Sequence, residues 1–125
     1  MIQIGKSSKN PSIQTFLFGG AIACAPLDYI LVSDCVYEPL YGDSWKALAS
    51  VIARLSTAGR TVTYCACERR FADQVDDFVA LLGAGGFGLD VALVEHRELP
   101  STDEHDGEGG LWTPVLELYR IERKK

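Results

Sequence analysis

The chain has 125 residues, with 12 Lys and Arg against 17 Asp and Glu and a net charge of −5. That length suits one domain better than two, and 47% hydrophobic with 10% aromatic residues supplies a core and excludes disorder throughout. The acidic balance offers no field for displacing counterions from a polyanion, so a dedicated nucleic-acid module is disfavoured.

Residues 1–11 carry Ser7, Ser8, Lys9, Asn10 and Pro11 and read as a disordered lead, with order expected from Ser12. Ile13 to Phe18 is β-prone and is closed by Gly19-Gly20. The apolar run Phe16 to Ala25 imitates a leader with a small-residue cleavage site, but two glycines interrupt it. Asp28 and Asp34 stop any count near the ~20 apolar residues that a membrane helix needs, so no membrane is expected. Cys24, Cys35, Cys65 and Cys67 lie in or beside apolar runs and read as reduced, small hydrophobes of a reducing, cytoplasmic compartment.

Tyr29-Ile30-Leu31-Val32-Ser33 is continuously apolar between Asp28 and Asp34, the pattern of a parallel strand covered on both faces. After Pro39 and Gly42, Asp43 or Ser44 can cap a helix in which Trp45, Leu48, Ala49, Ile52 and Leu55 recur at helical spacing and which Gly59 ends. Val62 to Cys67 is β-branched and apolar, a second buried strand. A second helix is expected from Phe71 to Leu82, with Phe71, Val75, Phe78, Val79 and Leu82 on one face. Leu89 to Val94 and Val115 to Ile121 read as closing strands, separated by an acidic loop from Pro100 to Gly110. The alternation predicts a single α/β domain over 1–125: parallel strands with crossover helices, ending in an antiparallel hairpin.

Three patterns that resemble chemistry have plainer readings. Gly83-Ala84-Gly85-Gly86-Phe87-Gly88 spells G-x-G-x-x-G, but a helix leads into it and a strand leaves it, the reverse of a dinucleotide loop, so it terminates a helix. Cys65-Ala66-Cys67 has no second pair at tetrahedral spacing, so no metal is expected. His96 and His105 accompany no nucleophile elbow. There remain the carboxyl ends of the two parallel strands, where open α/β sheets bind ligands. Ser33, Asp34, Cys35, Val36 and Tyr37 emerge from the first, and Cys67, Glu68, Arg69 and Arg70 from the second. Asp34 could simply cap a turn there, and Glu68 and Arg70 could be a surface pair.

The segment Asp28 to Tyr37, with Asp34-Cys35-Val36-Tyr37 as a D-x-x-Y motif after a buried strand, resembles the fourth strand of the seven-strand protein-lysine methyltransferases. Cys67-Glu68-Arg69-Arg70 is similar to that family's Y-E-x-R segment, with Cys in place of Tyr. Gly86-Phe87 and the closing strand Leu116 to Ile121 follow in matching order, and Leu17-Phe18-Gly19 stands where the family has L-x-W-G. The likeness covers Phe16 to Lys125. The family's first half, with its glycine-rich cofactor loop and ribose-binding acid, has no counterpart, so the chain resembles the carboxyl-terminal half of such an enzyme.

The resemblance implies a partial Rossmann-like sheet and protein-lysine methylation with S-adenosylmethionine, bound weakly or not at all by this chain. It implies Asp34 and Tyr37 beside the methyl donor and acceptor lysine, Phe18 and Ser33 against the cofactor, and Glu68 with Arg70 at the rim for a protein substrate. A non-catalytic fragment of a methyltransferase, or a small α/β interaction module, is the alternative expectation.

Overall fold

The computed structural model describes residues 2–5, 13–15, 26–71, 73–100 and 114–125. Among the described residues six strands form one mixed sheet: β1 (Ile2–Gly5), β2 (Ile13–Thr15), β3 (Tyr29–Ser33), β4 (Val62–Arg69), β5 (Leu89–Glu98) and β6 (Val115–Arg123), in the order β2-β1-β3-β4-β6-β5. Three helices among the described residues accompany it: α1 (Glu38–Tyr41), α2 (Ser44–Leu55) and α3 (Val75–Leu82). β3 and β4 are parallel, with Tyr29 opposite Val62 and Ser33 opposite Ala66. The expected parallel pair joined by the helix Ser44 to Leu55 is therefore present, with the second strand running two residues further than expected, to Arg69. β6 lies between β4 and β5 and is antiparallel to both.

The core follows from side-chain alternation along the strands. Ile30, Val32, Thr63, Cys65, Cys67, Tyr119 and Ile121 are buried on one face of the sheet. Leu48, Ala49, Ile52 and Ala53 of α2 and Val75, Phe78 and Leu82 of α3 belong to the same core. Burying each such large side chain contributes about 1.5–3 kcal/mol. On the opposite face Leu31, Tyr64 and Leu116 stay more than a third exposed, and Tyr29, Val62 and Leu118 are half-buried. The expectation of strands covered on both faces thus fails for the described residues, because both long helices pack on the same side of the sheet.

Two further expectations are corrected. The lead expected to be disordered contains β1, which pairs antiparallel with β3, while Ile13–Thr15 pairs with β1 one strand further out. The pair of β-branched residues Ile2 and Ile4 is too short a pattern to stand out beside Lys6 to Asn10. The second helix starts at Val75, not Phe71, and Phe71 is 95% exposed. Asp73 sets that start. Its Oδ1 accepts from the Val75 backbone N–H at 3.1 Å and its Oδ2 from that of Arg70 at 2.7 Å, so the chain turns before it can coil.

Candidate functional site

β3 and β4 end side by side, and the Asp34 backbone N–H extends their pairing by donating to the Ala66 carbonyl at 2.9 Å. Asp34 then takes a left-handed conformation, φ +51, which only a short polar residue or glycine adopts at modest cost. This bend carries the chain off the sheet toward Tyr37 and α1. From β4, alternation sends Glu68 to one side of the sheet and Arg69 to the other.

Four of the six expected site residues meet here around one guanidinium. Arg70 Nη2 donates to Glu68 Oε2 at 2.7 Å and to Asp34 Oδ2 at 3.2 Å. The same guanidinium lies over the Tyr37 ring, 4.8 Å from its centre, within the range of a cation–π attraction. Glu68 first, with Asp34 adding to it, raises the Arg70 pKa further. The fifth, Ser33, lines an adjoining cavity of about 380 Å³, together with Asp34, Glu68, Glu95, Glu117 and Arg97 among others. The sixth, Phe18, lies outside the described residues, as do Cys24 and His105.

Beneath this cluster, on the helix side, is a second network that the sequence reading passed over. Arg69 grips Asp76 with both terminal nitrogens, at 3.0 and 3.1 Å, and reaches Asp73 at 3.1 Å and Glu117 at 2.9 Å. Glu117, 8% exposed, also accepts from the Tyr119 hydroxyl at 3.1 Å and meets His96 Nδ1 at 3.2 Å. Burial pushes the Glu117 carboxyl up, but hydrogen bonds from His96, Arg69 and Tyr119 outweigh it and hold the group below its ordinary value. Arg69 lowers Asp76 in the same way. Signals were available: Arg69 shares the parity of Cys65 and Cys67, and Glu117 that of Tyr119 and Ile121. A charge on a buried strand face requires a partner.

Residues 17–85, more than half of the chain, match the sequence profile of a lysine methyltransferase family. The chain belongs to that lysine methyltransferase family. Over 57 residues it is also 47% identical to Secreted RxLR effector protein 48 of Plasmopara viticola; the match covers 45% of this chain and 29% of that protein. The chain therefore spans under a third of that relative's length. No solved structure matches.

Family membership implies S-adenosylmethionine, and the described residues do not make a full cradle for it. Among the described residues the cavity lining holds Asp34, Glu68, Glu95 and Glu117 against one cation, Arg97. The glycine-rich turn after α3 is committed to closing that helix. Gly83 N–H donates to the Val79 carbonyl, Phe87 N–H to that of Leu81, and Gly88 N–H to that of Gly83, while a Cβ on Gly86 would collide with the Leu81 carbonyl. The helix-terminating reading of this run is the correct one. Cys65 and Cys67 sulfurs sit 3.6 Å apart, and their mutual hydrogen bond, with burial next, pushes the Cys65 thiol far up. This leaves it an inert thiol. Among the described residues no cluster of three or more ligands is arranged for a metal, and no helix is long and apolar enough to cross a membrane.

Proposed function

We propose that this chain is the acceptor-facing part of a seven-strand protein-lysine methyltransferase, corresponding to the carboxyl-terminal half of that Rossmann-like sheet. The observation that carries the reading is the convergence of Asp34, Tyr37, Glu68 and Arg70, from the ends of two parallel strands, beside a cavity that Ser33 also lines. Carboxylates there draw a cationic lysine of a protein substrate and align it by charge-assisted hydrogen bonds. Alignment is the largest service such a site gives to a transfer reaction. The amine reacts in its neutral form, and a carboxylate within hydrogen-bond reach can take its proton. The buried thiols support a reducing, cytoplasmic setting, and neither nucleic acid nor a membrane enters the reading.

S-adenosylmethionine is the methyl source, and this chain holds it weakly or not at all. Absence of two or three charged or buried hydrogen bonds lowers affinity about a hundredfold or more. Calorimetric titration of the purified, folded chain is expected to give a dissociation constant weaker than about 100 μM; micromolar binding would overturn the incomplete cradle. With labelled cofactor in large excess, label is expected on protein lysine and is expected to fall at least tenfold in Asp34→Asn and Tyr37→Phe. Label on another residue type, or transfer indifferent to both substitutions, would overturn the lysine assignment. A folded chain without any transfer would favour the non-catalytic fragment.

A further inference from the structure

Arg70 and Arg69 are neighbours in sequence and bind acids in different ways. Arg69 presents a fork, two nitrogens to the two oxygens of Asp76, which is what a planar guanidinium does best. Arg70 contacts its two carboxylates through Nη2 alone, one oxygen of each. Its Nη1 and Nε take no carboxylate among the described residues. The pocket formed by Asp34, Glu68 and Tyr37 therefore handles Arg70 as a point charge against an aromatic face, the geometry suited to an ammonium group. Two carboxylates facing one cation also leave one negative charge in excess.

Resting on the methyltransferase reading, we infer that Asp34, Glu68 and Tyr37 form a cage for an alkylammonium group and that Arg70 occupies it as a tethered stand-in for the substrate lysine. Arg70 is then an internal competitor. All three interactions are partly solvated, the Arg70 side chain being 26% exposed and that of Asp34 46%, so water and salt screen them. An incoming lysine gains the cage when Arg70 turns out toward solvent. The apparent affinity for a free ammonium falls by the fraction of time the cage is open, and a side chain tethered to the cage wall keeps that fraction small.

The test is a titration of the whole chain, without cofactor, with Nα-acetyl-lysine N-methylamide, followed by proton–nitrogen correlation spectra and the Tyr37 ring resonances. Arg70→Ala and Arg70→Gln are both made, so that one folded variant suffices, and spectral dispersion reports folding. Either is expected to bind the lysine probe at least tenfold more tightly than the unmodified chain, with shifts centred on Tyr37 and Asp34. Adding Asp34→Asn to either is expected to reverse the gain. Equal affinity in the unmodified chain and both Arg70 variants would overturn the inference, as would a gain that survives Asp34→Asn. Because no cofactor is present, a chain that fails to transfer methyl groups yet gains lysine binding on loss of Arg70 would sink the catalytic reading alone. Methyl transfer without that gain would sink only the cage.

Discussion

Arg69, the last residue of β4, donates to Glu117 of β6 at 2.9 Å, at the strand end from which Glu68 lines the cavity and Arg70 follows. The pair locks the tip of β4 to β6, and the contacts of Arg69 with Asp73 and Asp76 lock the same tip to α3. Removing Arg69 leaves the buried Glu117 carboxylate with only Tyr119 and His96, and removing Glu117 leaves Arg69 to Asp73 and Asp76. Arg69→Met or Glu117→Leu alone is expected to lower unfolding free energy by about 3 kcal/mol, read from urea midpoints at unchanged slope. The double variant should recover only the part of that loss due to Glu117 and Arg69 facing each other unpaired, because Asp73 and Asp76 still lack Arg69. Strict additivity of the two losses would show that the pair does not couple.

Acid should find the same residue. The Glu117 pKa is lowered on folding, so its contribution is full above the unfolded value of about 4.3 and is lost as pH falls through the folded one. Asp76, lowered by Arg69, acts in the same direction. Stability measured from pH 6 downward is expected to drop more steeply in the unmodified chain than in Glu117→Gln. Parallel curves would remove Glu117 from the acid limb.

Tyr119 supplies the alkaline counterpart. Burial first, then the charge of Glu117, pushes its hydroxyl up to about 12. The folded state thus holds a proton that the unfolded chain releases near pH 10, and stability present below that value is lost as pH rises toward the folded one. The loss amounts to about 2–3 kcal/mol for a shift of this size. Tyr119→Phe should be less stable at neutral pH, for want of the hydrogen bond, and should show a shallower decline between about pH 10 and 12.

Sequence pattern exposed much of this arrangement and missed the rest for identifiable reasons. Tyr29–Ser33, Ser44–Leu55 and the start of β4 were legible because long apolar runs with clear punctuation leave few alternatives. The convergence of Asp34, Tyr37, Glu68 and Arg70 was legible because two parallel neighbours must end at one edge. The pairing of Arg69 with Glu117 escaped because alternation gives the face of each residue but not that β6 lies beside β4, which is what brings the two charges together. β1 escaped because four residues carry too little pattern, and β5 ran past Val94 to Glu98 because its bulge between Leu93 and Glu95 breaks the alternation.

Phe71 and Phe78 separate pattern from structure in one experiment. Both fit a single helical face in sequence, yet Phe71 is 95% exposed and Phe78 is 1% exposed. Phe71→Ser is expected to change stability by less than about 0.5 kcal/mol, as at an unremarkable surface position. Phe78→Ala should cost about 3–5 kcal/mol through lost burial and the cavity left behind. A large loss at Phe71 would place the start of α3 earlier than Val75.

Asp34 joins the fold to the site most directly, because its backbone sits at φ +51 while its carboxylate holds Arg70. The two roles respond to different substitutions. Asn tolerates the left-handed conformation nearly as well as Asp, whereas alanine there costs about 1 kcal/mol and a β-branched residue more. Asp34→Asn should therefore keep stability within about 0.5 kcal/mol of the unmodified chain while losing the charge. Asp34→Gly should relieve the conformation at the expense of a more flexible unfolded state, leaving a small net change. Asp34→Val should destabilise by about 1–3 kcal/mol. Denaturation midpoints in the order Asp, Asn and Gly close together, with Val well below, are the expected result. If Asn instead fell with Val, the charge and not the backbone would be what stabilises this bend, and the Arg70 contact would be the feature on which the end of β3 depends.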